Sequence, residues 1–362
     1  MGGIYTPAAS FPPSRFGEIV NEAPSRPLWR ASILLSLTLA FVSWQSARAS
    51  LAVLVGEPFG SFGTMMPLGH TAIYLNHVCA DGPLKVRLCR PDEPQGVVLA
   101  RYHAIGQYDW LATPIMDFLY ATHDPAEVLA FATPQKVWAM RERYRERFLR
   151  EVVPDGKQGT MNGDGSAKHA HDLDEWWETA GMAYQRRLWA YEVSTTPEQD
   201  ATLVAVMNDQ ANRHRYHLSG ANCADFAAEL LNLYYPGAVR HADRIADYGL
   251  MTPKHVVRSL TGYAEKHPEL DMHVWEIAQI PGSLRRSKTV WGGVESALKT
   301  KRYLFTLLVI QPEVPLVLEA LYLRHGRWKL GQGAQPMPPL MQTGPEETVA
   351  ATPTALEPAG SE

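Results

Sequence analysis

A helix is predicted to begin within the segment 216–231, which reads Tyr216-His217-Leu218-Ser219-Gly220-Ala221-Asn222-Cys223-Ala224-Asp225-Phe226-Ala227-Ala228-Glu229-Leu230-Leu231. Apolar residues recur at helical spacing through its second half, a pattern typical of a helix with one buried face. Asn222 is a preferred N-cap residue, and Asp225, three residues later, suits a capping box. The sequence therefore predicts a helix that starts near Asn222 and carries Cys223 in its first turn.

The position of Cys223 indicates a nucleophile. The dipole and the free backbone N–H groups of a first helical turn favour negative charge, and helix N-termini often lower the pKa of a cysteine. Because the thiolate is the nucleophilic form, we expect a reactive thiolate at Cys223, with the same N–H groups available to a developing oxyanion. The alternative is a structural cysteine, since a free cysteine on a helix is usually part of the core.

A base for that thiol is predicted on a strand over 69–75, which reads Gly69-His70-Thr71-Ala72-Ile73-Tyr74-Leu75 and is rich in β-branched and aromatic residues. Gly69 allows another backbone to approach closely. His70 shares one face of the strand with Ala72 and Tyr74. Imidazole titrates near neutrality, so His70 is the candidate general base, with a purely structural histidine as the alternative.

The three cysteines divide into a pair and a single residue. Three thiols, Cys79, Cys89 and Cys223, are too few for a disulfide scaffold or a four-thiolate zinc site. Cys79 and Cys89 flank a short segment and could close a disulfide loop, which would leave Cys223 unpaired.

The ends of the chain differ from its middle. Residues 1–49 combine a basic flank, a short apolar run and a small-residue site at Ala47-Arg48-Ala49, which predicts an export signal and a periplasmic or secreted location. The alternative is an uncleaved N-terminal helix that anchors the chain. Residues 331–362 are rich in Pro, Gly, Thr and Glu, which predicts a disordered tail.

The folded part is therefore expected over 50–330. Strands and helices alternate there without βαβ regularity, which predicts an α+β fold. A helical insertion is expected over about 111–187. The segments 84–88 and 96–102 are expected to continue a hairpin, and Leu304–Ile310 is expected to be a late strand.

The order of the two motifs, Gly69-His70-Thr71 on a strand and then Asn222-Cys223 at a helix start, resembles the circularly permuted branch of the NlpC-type papain-like superfamily. That branch includes lecithin retinol acyltransferase-like enzymes and exported bacterial groups. The resemblance covers about 51–260. It implies an antiparallel sheet packed against helices, with Cys223 as nucleophile and His70 as general base.

The same resemblance implies a third polar residue that orients the histidine. His103 is our choice for it and His77 is the competitor. We also expect Tyr216, Asn222 and Tyr74, which lie close to the two motifs in sequence, to contact the substrate.

Other ligand classes find less support. The counts of 34 Lys and Arg against 38 Asp and Glu give a net charge of −4, which argues against a dedicated nucleic-acid binder. A loop holds His169, His171, Asp172 and Asp174, but no third histidine has an obvious place beside them, so we expect no metal. No cofactor is expected either.

The sequence thus predicts an exported thiol enzyme that forms a thioester on Cys223 by attack on an amide or ester carbonyl. Transfer to water would make it an amidase or peptidase, and transfer to an amine an acyltransferase. Peptides or lipids of the cell envelope are the expected substrates, and the chain is expected near a membrane, with its oligomeric state left open. The alternative is a non-catalytic binding or scaffold protein of the envelope with the same fold.

Overall fold

The computed structural model describes the ranges 49–60, 67–91, 93, 96–103, 105, 108–153, 175–213, 216–217, 220–240, 250–323 and 327–337. Three predicted features lie outside these residues: the export signal except for its last residue, the loop with His169 and His171, and the tail beyond 337.

Nine strands occur in the described ranges: β1 (Ser50–Gly56), β2 (His70–Leu75), β3 (Val78–Ala80), β4 (Val86–Leu88), β5 (Val97–Ala100), β6 (Leu111–Pro114), β7 (Leu188–Ser194), β8 (His273–Ile277) and β9 (Gln335–Pro336). Seven of them form one sheet in the order β6-β5-β2-β1-β7-β8-β9. Its pairs are antiparallel except for the parallel pair of β8 and β9.

The α-helices of the described part are α1 (Ile115–Tyr120), α2 (Pro134–Tyr144), α3 (Met182–Gln185), α4 (Pro197–Asp209), α5 (Cys223–Tyr234), α6 (Pro253–Ala264), α7 (Gly293–Lys299), α8 (Lys301–Ile310) and α9 (Glu313–Leu321). A π-helical turn, Arg145–Leu149, extends α2. Short 3₁₀ turns occur at Pro125–Glu127, Glu175–Thr179 and Pro268–Leu270.

The central strand β1 is buried on both faces because helices cover both sides of the sheet. Its alternate residues Leu51, Val53 and Val55 join a core with α4, α5 and α6, whereas Ala52 and Leu54 join a second core with α1, α2 and the segment 176–184. The molecule is therefore an α+β protein with an antiparallel sheet packed against helices, as the sequence predicts.

Three predicted details of the sheet differ. The segment around β4 pairs with β3 in a separate two-stranded sheet, and β5 pairs with β2, so the expected hairpin between them does not form. The segment predicted as a helical insertion, about 111–187, opens with β6, which belongs to the main sheet as the neighbour of β5.

The C-terminal part also differs from the prediction. The run Leu304–Ile310 lies in helix α8 and not in a strand. Residues 331–337, which the sequence predicts as part of the tail, pack against the sheet: β9 pairs with β8, and the backbone N–H of Gly331 donates to the hydroxyl of Tyr191 at 2.9 Å. No helix in the described ranges is long and apolar enough to cross a bilayer.

The structure pairs Cys79 with Cys89 in a disulfide whose Cα atoms are 5.0 Å apart, and Cys223 is a free, buried thiol. The bridge joins the end regions of the β3–β4 hairpin. It leaves Cys223 as the single unpaired cysteine, as the sequence predicts.

We expect replacement of Leu99 by alanine to lower the free energy of unfolding by about 2–5 kcal/mol, because this β5 side chain is fully buried and a cavity would remain. Leu88→Ala is the matched control, since Leu88 is exposed; its cost should stay below about 0.5 kcal/mol. Urea denaturation measures both. Equal losses for the two variants would contradict the described core.

Candidate active site

The start of α5 is held by the side chain of Asn222. Its Oδ1 accepts hydrogen bonds from the backbone N–H groups of Ala224 and Asp225, at 2.7 and 3.0 Å, and its Nδ2 donates to the carbonyl of Met251 at 3.0 Å. Asp225 completes the predicted capping box by accepting from the Asn222 N–H at 2.9 Å. Asn222 is buried and these bonds fix the start of the helix, so it positions Cys223; its predicted contact with the substrate stays a prediction.

Cys223 lies in the first turn of α5, next to the beginning of β2. The backbone N–H groups of Thr71, Cys223 itself and Ala224 lie close enough to its sulfur to lower the pKa of the thiol. Thr71 can reach it because β2 pairs with β5 only from Ile73 onward. N–H groups near a sulfur favour negative charge on it during a reaction.

His70 begins β2 and lies opposite Gly56 of β1. A side chain at Gly69, which has a positive φ of 77°, would bring its Cβ within 2.5 Å of the Gly56 carbonyl oxygen. The predicted close approach at Gly69 is therefore real, and it fixes the start of the strand that carries His70.

The imidazole of His70 is half-buried and stacks on the ring of Tyr102, with centroids 5.1 Å apart. Its Nε2 is buried and has no hydrogen-bond partner among the described residues. A buried imidazole nitrogen without a partner is costly in a folded protein. This nitrogen is therefore available to exchange a proton within the site.

Sequence reasoning did not identify Arg186, the residue that precedes β7 by two positions. It is buried, lies over the ring of Phe59 at 4.2 Å, and is 3.8 Å from the carboxylate of Glu178. Its charge acts on both His70 and Cys223. In the sequence Arg186 is one of two arginines before a strand, and such a pattern is too common to single it out.

Burial controls protonation at both candidate residues. It raises the pKa of the Cys223 thiol to about 11, against the effect of the surrounding N–H groups, and nearby Glu178 raises it further. Burial, followed by the charge of Arg186, lowers the pKa of His70 to about 3. At neutral pH the site therefore holds a thiol and a neutral imidazole. Desolvation of the sulfur thus opposes the predicted thiolate more strongly than the helix N-terminus favours it.

The role of His103 as the third residue stays a prediction. His103 is exposed and its ring packs edge-on against Tyr216, with centroids 5.3 Å apart, whereas Tyr102 is the ring that contacts His70. The competitor His77 lies beyond the other end of β2, about 20 Å along the strand from His70.

Tyr74 and Tyr216, two residues predicted to contact the substrate, pack against other side chains of the protein. Tyr74 is buried in the second core, so it serves packing. Tyr216 is half-buried beside His103. Within the described residues, one group of side chains has the spacing of metal ligands, Cys79, Cys89 and Glu93, but its two sulfurs are joined in the disulfide.

The lowered pKa of His70 predicts a pH-dependent stability. The imidazole takes up a proton near pH 6.5 when unfolded but only near pH 3 when folded, so its contribution is present above pH 6.5 and is lost as the pH falls toward 3. We expect His70→Gln to lose less stability than the wild type between pH 7.5 and pH 5.0. Denaturant unfolding at pH 7.5 and pH 5.0 measures the free energy of unfolding. An equal difference in this free energy between wild type and variant at the two pH values would contradict the prediction.

Comparison with known proteins adds one structure. No protein-family model matches the chain, and no curated protein matches it. A solved structure, that of the type VI secretion system effector TseH, aligns with 60% of this chain and 90% of its own, at 12% identity and a TM-score of 0.28. A TM-score of 0.28 indicates little structural similarity, so no property of TseH is assigned to this chain.

Proposed function

We propose that the chain is a thiol enzyme that transfers acyl groups through Cys223, with His70 as general base. One observation carries the proposal: the backbone N–H of Thr71, the residue after His70 in β2, lies close enough to the sulfur of Cys223 in the first turn of α5 to lower the pKa of that thiol. The strand with the candidate base and the helix with the candidate nucleophile thus meet at these two residues.

The protonation states support a step in which the proton moves as the bond forms. The sulfur attacks a carbonyl carbon while its proton passes to Nε2 of His70, and the carbonyl oxygen becomes an oxyanion. Collapse of this intermediate expels an amine or alcohol, which takes the proton from His70 and leaves a thioester on Cys223. Water or an acceptor amine then attacks the thioester and restores the thiol.

Arg186 supports the same chemistry electrostatically. A buried guanidinium near the sulfur favours the negative charge that develops during attack, and it disfavours a long-lived imidazolium at His70. The imidazolium would then release its proton readily to the leaving group. We assign Arg186 to charge stabilisation in the site.

The location and the substrates belong to the same proposal. The disulfide between Cys79 and Cys89 supports an oxidising compartment, so we propose that the protein acts after export, in the periplasm or outside the cell. Peptides or lipids of the cell envelope are the proposed substrates.

A second candidate is a binding or scaffold protein that keeps this fold without catalysis. The buried thiol, with its raised pKa, favours it, because inert structural cysteines have this character. The two candidates differ in whether Cys223 becomes acylated.

Incubation with p-nitrophenyl acetate distinguishes them. We expect the wild type to gain one acetyl group on Cys223, detected by intact mass and peptide mapping, and Cys223→Ala to gain none there. His70→Ala should acetylate at least about 100-fold more slowly, since a general base contributes that much or more. His77→Ala is the matched control and should react like the wild type, because His77 lies at the far end of β2.

Thermal melting of each variant checks that it is folded. Acetylation of Cys223 at one rate in the wild type, His70→Ala and His77→Ala would remove His70 from the mechanism. No acetylation of Cys223 in the folded wild type would favour the binding protein.

A further inference from the structure

Helices α8 and α9 form a hairpin whose outer surface is apolar. Seven of the ten residues of α8 are apolar or aromatic, and none of the ten is buried. Phe305, Val309 and Ile310 are 71%, 68% and 70% exposed, and Leu316 of α9 is 70% exposed. An apolar helix with no buried residue is unusual in a protein surrounded by water, because it leaves hydrophobic area hydrated.

The inner side of the hairpin is already packed. Leu318 of α9 is buried against Val294 and Ala297 of α7, and Leu307 of α8 packs against the same cluster. The side chains of Phe305, Leu308 and Val309 follow an i, i+3, i+4 pattern and therefore form one continuous stripe on the opposite side of α8. This stripe has no partner among the described residues.

Basic residues begin the same stripe. Lys301 and Arg302 are exposed and precede Phe305 by four and three positions, so they lie on its side of the helix. The C-terminal end of α9 lies close to the N-terminal end of α8, because the centroid of the Tyr322 ring is 5.3 Å from Nζ of Lys299. The base of the hairpin is thus cationic and aromatic, and its outer length is apolar.

A basic cleft of about 660 Å³ adjoins this base. Its walls include Arg240, Lys254, Arg258 and Lys266, and its floor reaches Val294 of α7 and Leu321 of α9. Glu295 is the one carboxylate among the described lining residues, and it forms ion pairs with Lys254 at 2.5 Å and with Lys299 at 3.0 Å. Positive charge therefore surrounds the base of the apolar hairpin on two sides.

We propose that the α8–α9 hairpin and the basic cleft form one surface that binds membranes rich in anionic phospholipid. The stripe on α8 enters the boundary between headgroups and acyl chains with the helix parallel to the membrane, while Lys301, Arg302 and the cleft contact lipid phosphates. The hairpin itself carries two basic residues, Lys301 and Arg302, and two carboxylates, Glu313 and Glu319. The net positive charge of the surface therefore comes from Arg240, Arg258 and Lys266 of the cleft. An anionic bilayer complements the positive charge of this surface. A second copy of this chain would present the same positive charge and would be repelled.

This inference concerns a surface outside the Cys223 site and does not depend on the proposed chemistry. The test is flotation of the full-length chain with vesicles of phosphatidylcholine alone or with 30 mol% phosphatidylglycerol, a fraction of roughly one lipid in three chosen to give a strong surface potential. We expect binding to the anionic vesicles to be at least about tenfold stronger, and to weaken in high salt.

Two variants locate the surface. Phe305→Asp with Val309→Asp should reduce partitioning into anionic vesicles at least about tenfold, because it places charge in the apolar stripe. Lys301→Glu with Arg302→Glu should reduce it by a similar factor. Phe131→Asp is the matched control, since Phe131 is an exposed phenylalanine on another part of the molecule, and it should bind like the wild type.

The N-terminal apolar run is present in every variant, so the differences between variants report the hairpin alone. Equal binding by the wild type and the Phe305/Val309 variant, both with unchanged melting temperatures, would overturn the proposal. So would a wild type that is dimeric by light scattering without lipid and becomes monomeric in that variant, since the stripe would then be a contact between copies.

Discussion

The candidate site depends on where the pairing of β2 stops. β2 is bonded to β1 along its whole length but to β5 only from Ile73 to Leu75, so its first residues project beyond the ladder on one side. The N-terminus of α5 packs there, and the Thr71 N–H turns to the sulfur of Cys223. If β5 continued for two more residues, it would occupy the place of the helix. Because the pairing of β2 with β5 stops at Ile73, the N-terminus of α5 can pack beside the start of β2, where His70 lies.

Burial then determines the character of this site. A thiolate and an imidazolium would attract one another, but both are charged, and removal from water penalises each of them. In this protein the penalty exceeds the gain from the N–H groups around the sulfur, and Arg186 adds a cost for the imidazolium. The pair therefore rests in its uncharged form. In the proposed reaction, activation therefore comes with the substrate, whose carbonyl would give the developing negative charge a second location.

The local features of the site could be predicted from the sequence. Helix starts depend on a few consecutive residues, so Asn222, Cys223 and Asp225 could be read directly, and the same holds for the close approach at Gly69. Arg186 and Tyr102 could not be found this way, because their relation to His70 is a long-range contact. The segment Leu304–Ile310 was misread as a strand because a short, uniformly apolar run has no period by which a helix and a strand can be told apart.

Shortly after the contact between Gly331 and Tyr191, the chain adds a last short strand, β9, to the sheet. β9 places Gln335 and Pro336 along the outer edge of β8, while β6 ends the opposite edge with Pro114. Exposed sheet edges offer unpaired backbone groups to other chains, and prolines cannot donate in such pairing. The residues that follow the last large helix of the described chain thus shield part of this sheet edge from pairing with another strand.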